Sequence, residues 1–110
     1  MCKVILFGGT TEGRELARFL NARRIPALVC AATEYGASLL SCSPPVRVQS
    51  GRLEKPEIIT LLRGEGPRLV VDATHPYAEK ISQNLREACA AEKIRYVRLL
   101  REETESDGCL

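Results

Sequence analysis

Residues 4–17 read VILFGGTTEGRELA, and this stretch decides the fold. Four apolar residues, Val4–Phe7, come first, as in a strand that is buried on both faces of a parallel sheet. A glycine turn, GGTTEG, follows, and after it Leu16, Phe19 and Leu20 fall on one stripe of a helix. Because a helix N-terminus exposes unpaired N–H groups and carries a partial positive charge, this order of strand, turn and helix predicts an anion-binding site.

The glycine turn departs slightly from the usual dinucleotide fingerprint, which has glycines at its first, third and sixth positions. Gly8 and Gly13 keep the outer spacing, whereas Thr10 stands at the third position. Thr10 and Thr11 offer hydroxyl groups to phosphate oxygens, and either could cap the helix. We therefore predict that the turn binds the pyrophosphate of a dinucleotide; the alternative is a tight strand–helix turn without a ligand. The predicted contacts are Gly8, Gly9, Thr10, Thr11, Glu12 and Gly13.

Strands and helices alternate along the rest of the chain. Predicted strands lie at residues 4–7, 27–32, 46–49, 69–72 and 95–100. Predicted helices span residues 12–22, follow the turn at residues 33–36, run from Pro56 to Gly64, and begin again at Pro76. This pattern predicts an α/β fold, a doubly wound, Rossmann-like sheet of five parallel strands in the order 3-2-1-4-5. The ligand crevice of such a sheet lies where the order reverses, between the first and fourth strands, so the glycine turn and residues 72–76 meet there.

The second unusual stretch is DATHPY, which begins at Asp72 after the fourth predicted strand. Its place at the crevice favours contact with the nicotinamide end of a cofactor or with a substrate, and His75 could donate a proton near neutral pH. Alternatively, Asp72 and Thr74 cap the next helix, and His75 packs or faces water. Tyr77 and Lys80 are three positions apart rather than the four of the catalytic pair in short-chain dehydrogenases, so no catalytic residue is assigned.

Arginine recurs at every third position around the last predicted strand, at Arg95, Arg98 and Arg101. Two or three guanidinium groups at this place could receive an anionic substrate. An exposed strand edge explains the same pattern, so both interpretations stay open.

The choice of cofactor depends on the end of the second strand, where a carboxylate suits the ribose 2′-hydroxyl of NAD and an arginine suits the 2′-phosphate of NADP. Glu34 lies 21 positions beyond Gly13, which favours NAD on spacing alone. Thr33 is nearer the strand end, however, and Arg14 and Arg52 could both reach this region. The residues by themselves leave the choice between NAD and NADP open.

Size and composition are those of an ordinary globular domain. The 110 residues suit one domain, and 16 basic against 14 acidic side chains give a net charge of +2, too weak to indicate nucleic acid or a membrane surface. The five cysteines form no CxxC pair and His75 is the single histidine, so we predict no metal site. No apolar run has transmembrane length and no signal-peptide pattern opens the chain, so we predict a reduced, cytoplasmic protein.

These stretches together resemble the precorrin-6A reductase family, including the cobalt-precorrin-6A reductases of the anaerobic cobalamin route. The resemblance rests on ILFGGTTEGRELA, ATEYG, GRL, VVDATHPYA, the helix with Ser82, Asn84 and Cys89, and YVRLLR, which run in family order across residues 4–101. The glycine turn alone is generic, whereas GGTTEGREL together with VDATHPYA is specific. The chain is thus similar to the N-terminal half of that family.

The resemblance implies NADPH-dependent reduction of a corrin precursor, precorrin-6A or cobalt-precorrin-6A, by hydride transfer to a double bond of a carboxylate-rich tetrapyrrole. By that analogy the glycine turn binds the pyrophosphate, Thr33 and Arg52 lie at the adenosine end, and Thr74 and His75 approach the nicotinamide. The resemblance therefore favours NADPH as cofactor, against the NAD that Glu34 suggests.

Members of the resembled family have two α/β domains with cofactor and substrate between them, and the resemblance covers only the first. We therefore expect residues 1–101 to be an NADP-binding, Rossmann-like N-terminal domain and residues 102–110 to be a polar tail or truncated linker, with the second domain absent. A separate second domain or a homo-oligomer is then the expected partner. The alternative from a different class is a nucleotide-sensing module that binds the cofactor and carries out no reduction.

Overall fold

The computed structural model describes residues 2–99, which fold as one sheet with helices on both faces. All five strands are parallel, and their spatial order is β3-β2-β1-β4-β5. The predicted fold class and strand order, 3-2-1-4-5, are therefore confirmed. The elements are β1 Val4–Phe7, α1 Thr11–Ala22, β2 Ala27–Ala31, α2 Glu34–Ser38, β3 Val46–Ser50, α3 Lys55–Glu65, β4 Leu69–Asp72, α4 Glu79–Glu92 and β5 Arg95–Arg98.

The central strand β1 separates two apolar cores, because neighbouring side chains of a strand point to opposite faces. Ile5 and Phe7 pack with residues of α3 and α4, including Ile58 and Leu85. Leu6 packs on the other face with residues of α1 and the neighbouring strands. Burial on both faces explains why β1 is apolar throughout, and it fixes the end of β1 at the middle of the sheet.

The buried stripe of α1 differs from the predicted one. Gly13, Ala17 and Leu20 are buried, whereas Phe19 is 48% exposed. The guanidinium carbon of Arg23 lies 5.1 Å from the centre of the Phe19 ring. Small residues therefore bring α1 close to the sheet, and the phenylalanine lies outside as one side of a cation–π pair.

Two predicted helix boundaries are wrong. Helix α3 runs through Gly64 to Glu65, and its C-cap is Gly66, which adopts the left-handed conformation at φ 58° and donates its N–H to the Leu62 carbonyl oxygen. Helix α4 begins at Glu79 rather than at Pro76, because a turn in which Ala78 donates to the His75 carbonyl oxygen comes first. Residue 100 of the predicted last strand, residue 101 of the predicted domain and the predicted tail at 102–110 lie outside the described residues.

Residues 2–99 contain neither a membrane-spanning helix nor a cluster of metal-ligand side chains. No helix within residues 2–99 has the length and apolar character needed to cross a bilayer. Within the same residues, no group of three or more His, Cys, Asp or Glu side chains is placed to hold a metal ion. Four cysteines there are free thiols, and burial raises the pKa of Cys30 to about 12 and that of Cys89 to about 11. These two thiols therefore remain neutral and serve as small core residues.

Candidate functional site

The glycine turn begins where β1 ends and is fixed to both neighbouring strands. The Gly8 N–H donates to the Cys30 carbonyl oxygen of β2 at 2.9 Å. Thr10 is the N-cap of α1, and its Oγ1 accepts a hydrogen bond from the Gly13 N–H at 3.2 Å. The same hydroxyl donates to the carbonyl oxygen of Ala73, just beyond β4, at 2.9 Å. Thr10 therefore joins the two loops that meet at the predicted crevice.

The two threonines of the turn have different hydrogen bonds. Because the Thr10 hydroxyl already donates its proton to Ala73, that proton is not available to a phosphate oxygen in this arrangement. Thr11 accepts a hydrogen bond from the Arg14 guanidinium at 3.1 Å and keeps its own hydroxyl proton. Thr11 is thus the better-placed hydroxyl donor, whereas Thr10 caps the helix and holds the loop.

The three glycines of the turn also differ in what surrounds them. A Cβ atom at Gly13 would lie 3.1 Å from the Ala73 Cβ and 3.2 Å from the Gly8 Cα, so this glycine is needed for close packing. A Cβ at Gly9 would make ordinary contacts of 3.7 Å with the backbone of Thr74 and His75. A Cβ at Gly8 would meet nothing within 4 Å. Gly8 therefore has open space beside it at the C-terminal edge of the sheet.

We expect Thr10→Ala to lower the free energy of unfolding by about 1–2 kcal/mol, because it removes a helix cap and leaves the Ala73 carbonyl oxygen without its donor. Urea denaturation of the parent and variant chains measures this loss. Thr10→Ser keeps the hydroxyl and should recover most of the stability. Equal destabilisation by alanine and serine would show that the methyl group, and not the hydroxyl, is responsible.

A buried carboxylate organises the loop that follows β4. Asp72 is fully buried, and its Oδ1 accepts from the Thr74 hydroxyl at 2.6 Å and from the Thr74 N–H at 3.1 Å. Arg98, its neighbour in the register of β4 and β5, donates to the same oxygen at 2.8 Å. The Tyr96 hydroxyl donates to Oδ2 at 2.6 Å. The Ser82 hydroxyl lies 3.3 Å from that of Thr74 and completes the network.

The network keeps Asp72 ionised in spite of its burial. Burial alone raises the pKa of this carboxyl, but hydrogen bonds from Ser82, Thr74 and Tyr96 outweigh that effect, so the pKa is lower than the usual value. The same contact has the opposite effect on its partner, since burial and the neighbouring carboxylate raise the pKa of Tyr96 to about 12. Asp72 is therefore a fixed negative charge that holds Thr74 in place.

The alternative expectation that Asp72 and Thr74 cap the next helix is wrong. The N-cap of α4 is Ala78, and no side chain accepts a capping hydrogen bond there. His75 is exposed, and its Nδ1 accepts a hydrogen bond from the Tyr77 N–H at 3.2 Å. The two rings lie 4.7 Å apart between centres, and Tyr77 is 89% exposed. A neutral His75 therefore carries its proton on Nε2.

Three clefts surround the glycine turn at the C-terminal edge of the sheet. The first, which we call the α3–α4 cleft, encloses about 300 Å³ between Gly8, Arg52 and Thr74. The second, the α1–α2 cleft, encloses about 260 Å³ between the turn and Thr33. The third, the histidine cleft, encloses about 560 Å³ between the turn and His75. The first two volumes lie at or just below the lower end of the range for small-molecule sites, and the third lies within that range.

The ten predicted site residues all line these clefts. The α3–α4 cleft includes Gly8, Arg52 and Thr74. The α1–α2 cleft and the histidine cleft contain the remainder, and the full set in chain order is Gly8, Gly9, Thr10, Thr11, Glu12, Gly13, Thr33, Arg52, Thr74 and His75. Because Gly8 lines two of the clefts and Thr74 also lines two, the three form one continuous region around the turn.

The end of β2 presents a threonine, and not a carboxylate, to the α1–α2 cleft. Thr33 lines that cleft and caps α2 by accepting from the Gly36 N–H at 3.0 Å. Glu34, counted above in favour of NAD, is exposed in the first turn of α2 and is not among the residues that line the cleft. Arg14 lines it instead.

Sequence reasoning missed two parts of this region. Tyr96 and Arg98 reach Asp72 from positions 24 and 26 residues later, and the alignment of Asp72 with Arg98 in the β4–β5 register was the available signal. Asn84 lines the α3–α4 cleft although it lies on the buried face of α4. A polar residue among Ile81, Leu85 and Ala88 at helical spacing was the signal there.

Residues 3–109 match the sequence model of the family described as precorrin-6x reductase CbiJ/CobK. The chain belongs to the precorrin-6x reductase family. The resemblance identified from the motifs is therefore confirmed.

Individual members of the family agree with this assignment. The chain is 36% identical over 104 residues to a cobalt-precorrin-6A reductase of Salmonella typhimurium, covering 94% of this chain and 39% of that protein. It is 34% identical over 90 residues to a precorrin-6A reductase of Rhodobacter capsulatus, covering 82% of this chain and 35% of the relative. A solved structure of CobK precorrin-6A reductase superposes with a TM-score of 0.78 at 30% identity, covering 92% of this chain and 39% of that one. The chain thus spans about two fifths of the length of these relatives.

Proposed function

We propose that residues 1–101 form an NADP-binding, Rossmann-like N-terminal domain that serves the NADPH-dependent reduction of a corrin precursor in cobalamin biosynthesis. The substrate proposed is precorrin-6A or cobalt-precorrin-6A, the tetrapyrroles on which the relatives are named as reductases. The observation that carries the cofactor part is the open face of Gly8 beside the N-terminus of α1, at the crevice where the strand order reverses.

The residues around the turn fit a dinucleotide. The space beside Gly8 is open, since an added Cβ there would meet nothing within 4 Å, and the N-terminus of α1 favours an anion although the Gly13 N–H is already capped by Thr10. We assign the pyrophosphate to the turn and the Thr11 hydroxyl. Thr33 and Arg52 then belong to the adenosine end, and Thr74 and His75 to the nicotinamide end.

Two features favour NADPH over NADH. Thr33 rather than Glu34 lines the α1–α2 cleft, so no carboxylate at the end of β2 is placed to accept a hydrogen bond from a ribose 2′-hydroxyl. Arg14 lines this cleft and Arg52 lines the α3–α4 cleft, and a guanidinium suits a 2′-phosphate. The two arginines, and an α1–α2 cleft whose lining contains no carboxylate, support the phosphorylated cofactor.

Each part of the site has a definite task in this proposal. NADPH, when bound, supplies a hydride from its nicotinamide ring. The glycine turn binds and orients the cofactor through backbone groups, while Asp72 holds Thr74 at the junction of the α3–α4 and histidine clefts. The paired rings of His75 and Tyr77 stand beside the histidine cleft and can shield that end from water.

Isothermal titration with NADPH and NADH tests the cofactor proposal directly. We expect NADPH to bind at least tenfold more tightly, which corresponds to about 1.4 kcal/mol. Gly8→Val places methyl groups in the open space of the turn, and we expect it to weaken NADPH binding by about 100-fold, or about 2.7 kcal/mol. The absence of binding of either nucleotide to the parent chain would contradict the proposal, and a tenfold preference for NADH would contradict the choice of NADPH.

Gly64→Ala is the matched control for that glycine replacement. Gly64 is exposed within α3, and a Cβ there meets nothing within 4 Å. We expect the control to leave NADPH affinity unchanged and to raise the free energy of unfolding by about 0.5–1 kcal/mol, because alanine favours a helix over glycine. A thermal melt of both variants separates loss of binding from loss of folding.

The substrate part of the proposal requires a turnover assay. The partner proposed is the region of the relatives that lies outside the two fifths matched by this chain, supplied as a separate chain, or a second copy of this chain. Reduction that appears only when the corresponding region of a relative is added would support the reductase proposal. NADPH binding without reduction in any such mixture would favour the nucleotide-sensing module instead.

A further inference from the structure

Asn84 is a buried amide whose side chain makes no hydrogen bond within the described part of the chain. It is 9% exposed and lies on the inner face of α4, among apolar neighbours. Its side chain lines the α3–α4 cleft. Buried side-chain amides in folded proteins are almost always hydrogen-bonded, since an unpaired one costs free energy. Among the described residues no fully buried side-chain N or O atom lacks a partner, so the unpaired amide of Asn84 reaches the cleft, where a ligand group can pair with it.

The surroundings of Asn84 define the kind of group. The α3–α4 cleft has an apolar lining that includes Phe7, Cys30 and Ile81. Arg52, from the loop after β3, and Lys80, one helical turn before Asn84, bring positive charge to the same cleft. An apolar lining with one amide, which both donates and accepts, suits a flat ring with a donor and an acceptor on one edge.

Adenine has that edge, because its N6 amino group donates and its N7 accepts, and an asparagine amide can pair with both. The nicotinamide carboxamide has a related edge. The α3–α4 cleft favours adenine because its lining reaches from the ends of β1 and β2 to Arg52 and does not include His75, although Thr74 joins it to the histidine cleft. Adenine therefore fits this cleft better than the nicotinamide does.

We infer that Asn84 contacts the edge of the adenine ring of the bound dinucleotide and determines the specificity of the α3–α4 cleft. The inference rests on the proposed function, since it concerns the cofactor proposed there. It adds a residue of α4 to a site otherwise built from the loops that follow β1, β2, β3 and β4.

The test compares binding and stability in the same variants. Asn84→Leu removes the amide at similar size, and Asn84→Asp replaces it by a carboxylate that only accepts. Titrations use NADPH and 2′,5′-ADP, which contains the adenine and the 2′-phosphate but no nicotinamide. We expect both variants to bind both compounds about tenfold or more weakly, the value of a lost bidentate base contact.

The melting temperature distinguishes a ligand contact of Asn84 from a purely structural role. Because Asn84 has no internal partner to lose, we expect Asn84→Leu to melt at or above the temperature of the parent. Gln83→Glu is the charge-matched control for Asn84→Asp, since Gln83 is exposed on the same helix and pairs with Glu87. We expect it to change both affinities by less than about twofold.

Each contrary result has a distinct meaning. Unchanged NADPH affinity in both Asn84 variants, with a parent chain that binds NADPH, overturns this inference and leaves the proposed function standing. Weaker NADPH binding with unchanged 2′,5′-ADP binding overturns the adenine assignment in favour of the nicotinamide half. A large loss of melting temperature in Asn84→Leu shows a structural residue. A parent chain that binds neither compound overturns the proposed function as well.

Discussion

Replacing Asp72 by alanine should lower the free energy of unfolding by about 3–5 kcal/mol, the usual cost of removing one member of a buried ion pair. Asp72 is fully buried and the Arg98 side chain is 22% exposed, so the arginine cannot fully rehydrate after its partner is lost. The Tyr96 hydroxyl and the Thr74 hydroxyl and N–H lose an acceptor at the same time. Urea denaturation followed by circular dichroism measures the loss.

Asp72→Asn separates the charge of this side chain from its shape. Because the pKa of Asp72 is lower in the folded chain than its ordinary value of 3.8, the carboxylate adds stability above that pH and the addition is lost as the pH falls through the folded value. We therefore expect the gap in stability between parent and Asp72→Asn to be full at pH 7 and to shrink below about pH 4. A gap that does not change with pH would contradict the assignment of Asp72 as a buried carboxylate.

A surface ion pair supplies the comparison for the Asp72 variants. Lys55 and Glu87 lie 2.8 Å apart between charged atoms, but both side chains are 44% exposed. Since water solvates both groups in the folded and unfolded states, we expect Lys55→Ala to leave the unfolding midpoint almost unchanged. A large effect there would mean that the assay responds to net charge and not to burial.

The second large effect is expected at Gly13. Gly13→Val should destabilise the chain by about 1–3 kcal/mol, because the added atoms press on Ala73 and on the Gly8 backbone. The displaced turn should also lose its affinity for NADPH. Thermal melts give the first quantity and titration gives the second.

Gly8→Ala is the matched control for Gly13→Val. A Cβ at Gly8 is free of contacts, and the glycines with positive φ among the described residues are Gly51 and Gly66, so alanine fits the backbone at Gly8. We expect the melting temperature of Gly8→Ala to be close to that of the parent. If Gly13→Val retains the parent's stability, the close packing of α1 against the β4 loop is not what requires glycine there.

Much of the fold could be predicted because its signals are local. The apolar run of β1, the glycine turn and the repeated strand–helix alternation each lie within a few residues, and this alternation favours a doubly wound sheet, for which 3-2-1-4-5 is one of the common strand orders. The ends of the helices were harder to predict from the sequence. Gly64 and Gly66 are both glycines near the end of α3, and only the left-handed conformation at Gly66 distinguishes the true end.

The candidate site could be predicted only in part, for a physical reason. Position at the crevice follows from topology, and all ten predicted residues line the clefts there. The hydrogen-bond partners of these side chains do not follow from topology, because they depend on the register of the strands and on the side-chain rotamers. Thr10 uses its hydroxyl for a loop 63 residues away, and the alternative of Asp72 as a helix cap failed because Tyr96 and Arg98 reach its carboxylate.

The buried thiol of Cys30 lies under the region proposed for the cofactor. It lines both the α3–α4 cleft and the α1–α2 cleft, is 4% exposed, and stays protonated because burial raises its pKa to about 12. Alkylating reagents attack thiolates, so modification of Cys30 requires the sheet edge to open first. The rate of that modification therefore reports how often this edge of the sheet opens locally, beneath the region proposed for the cofactor.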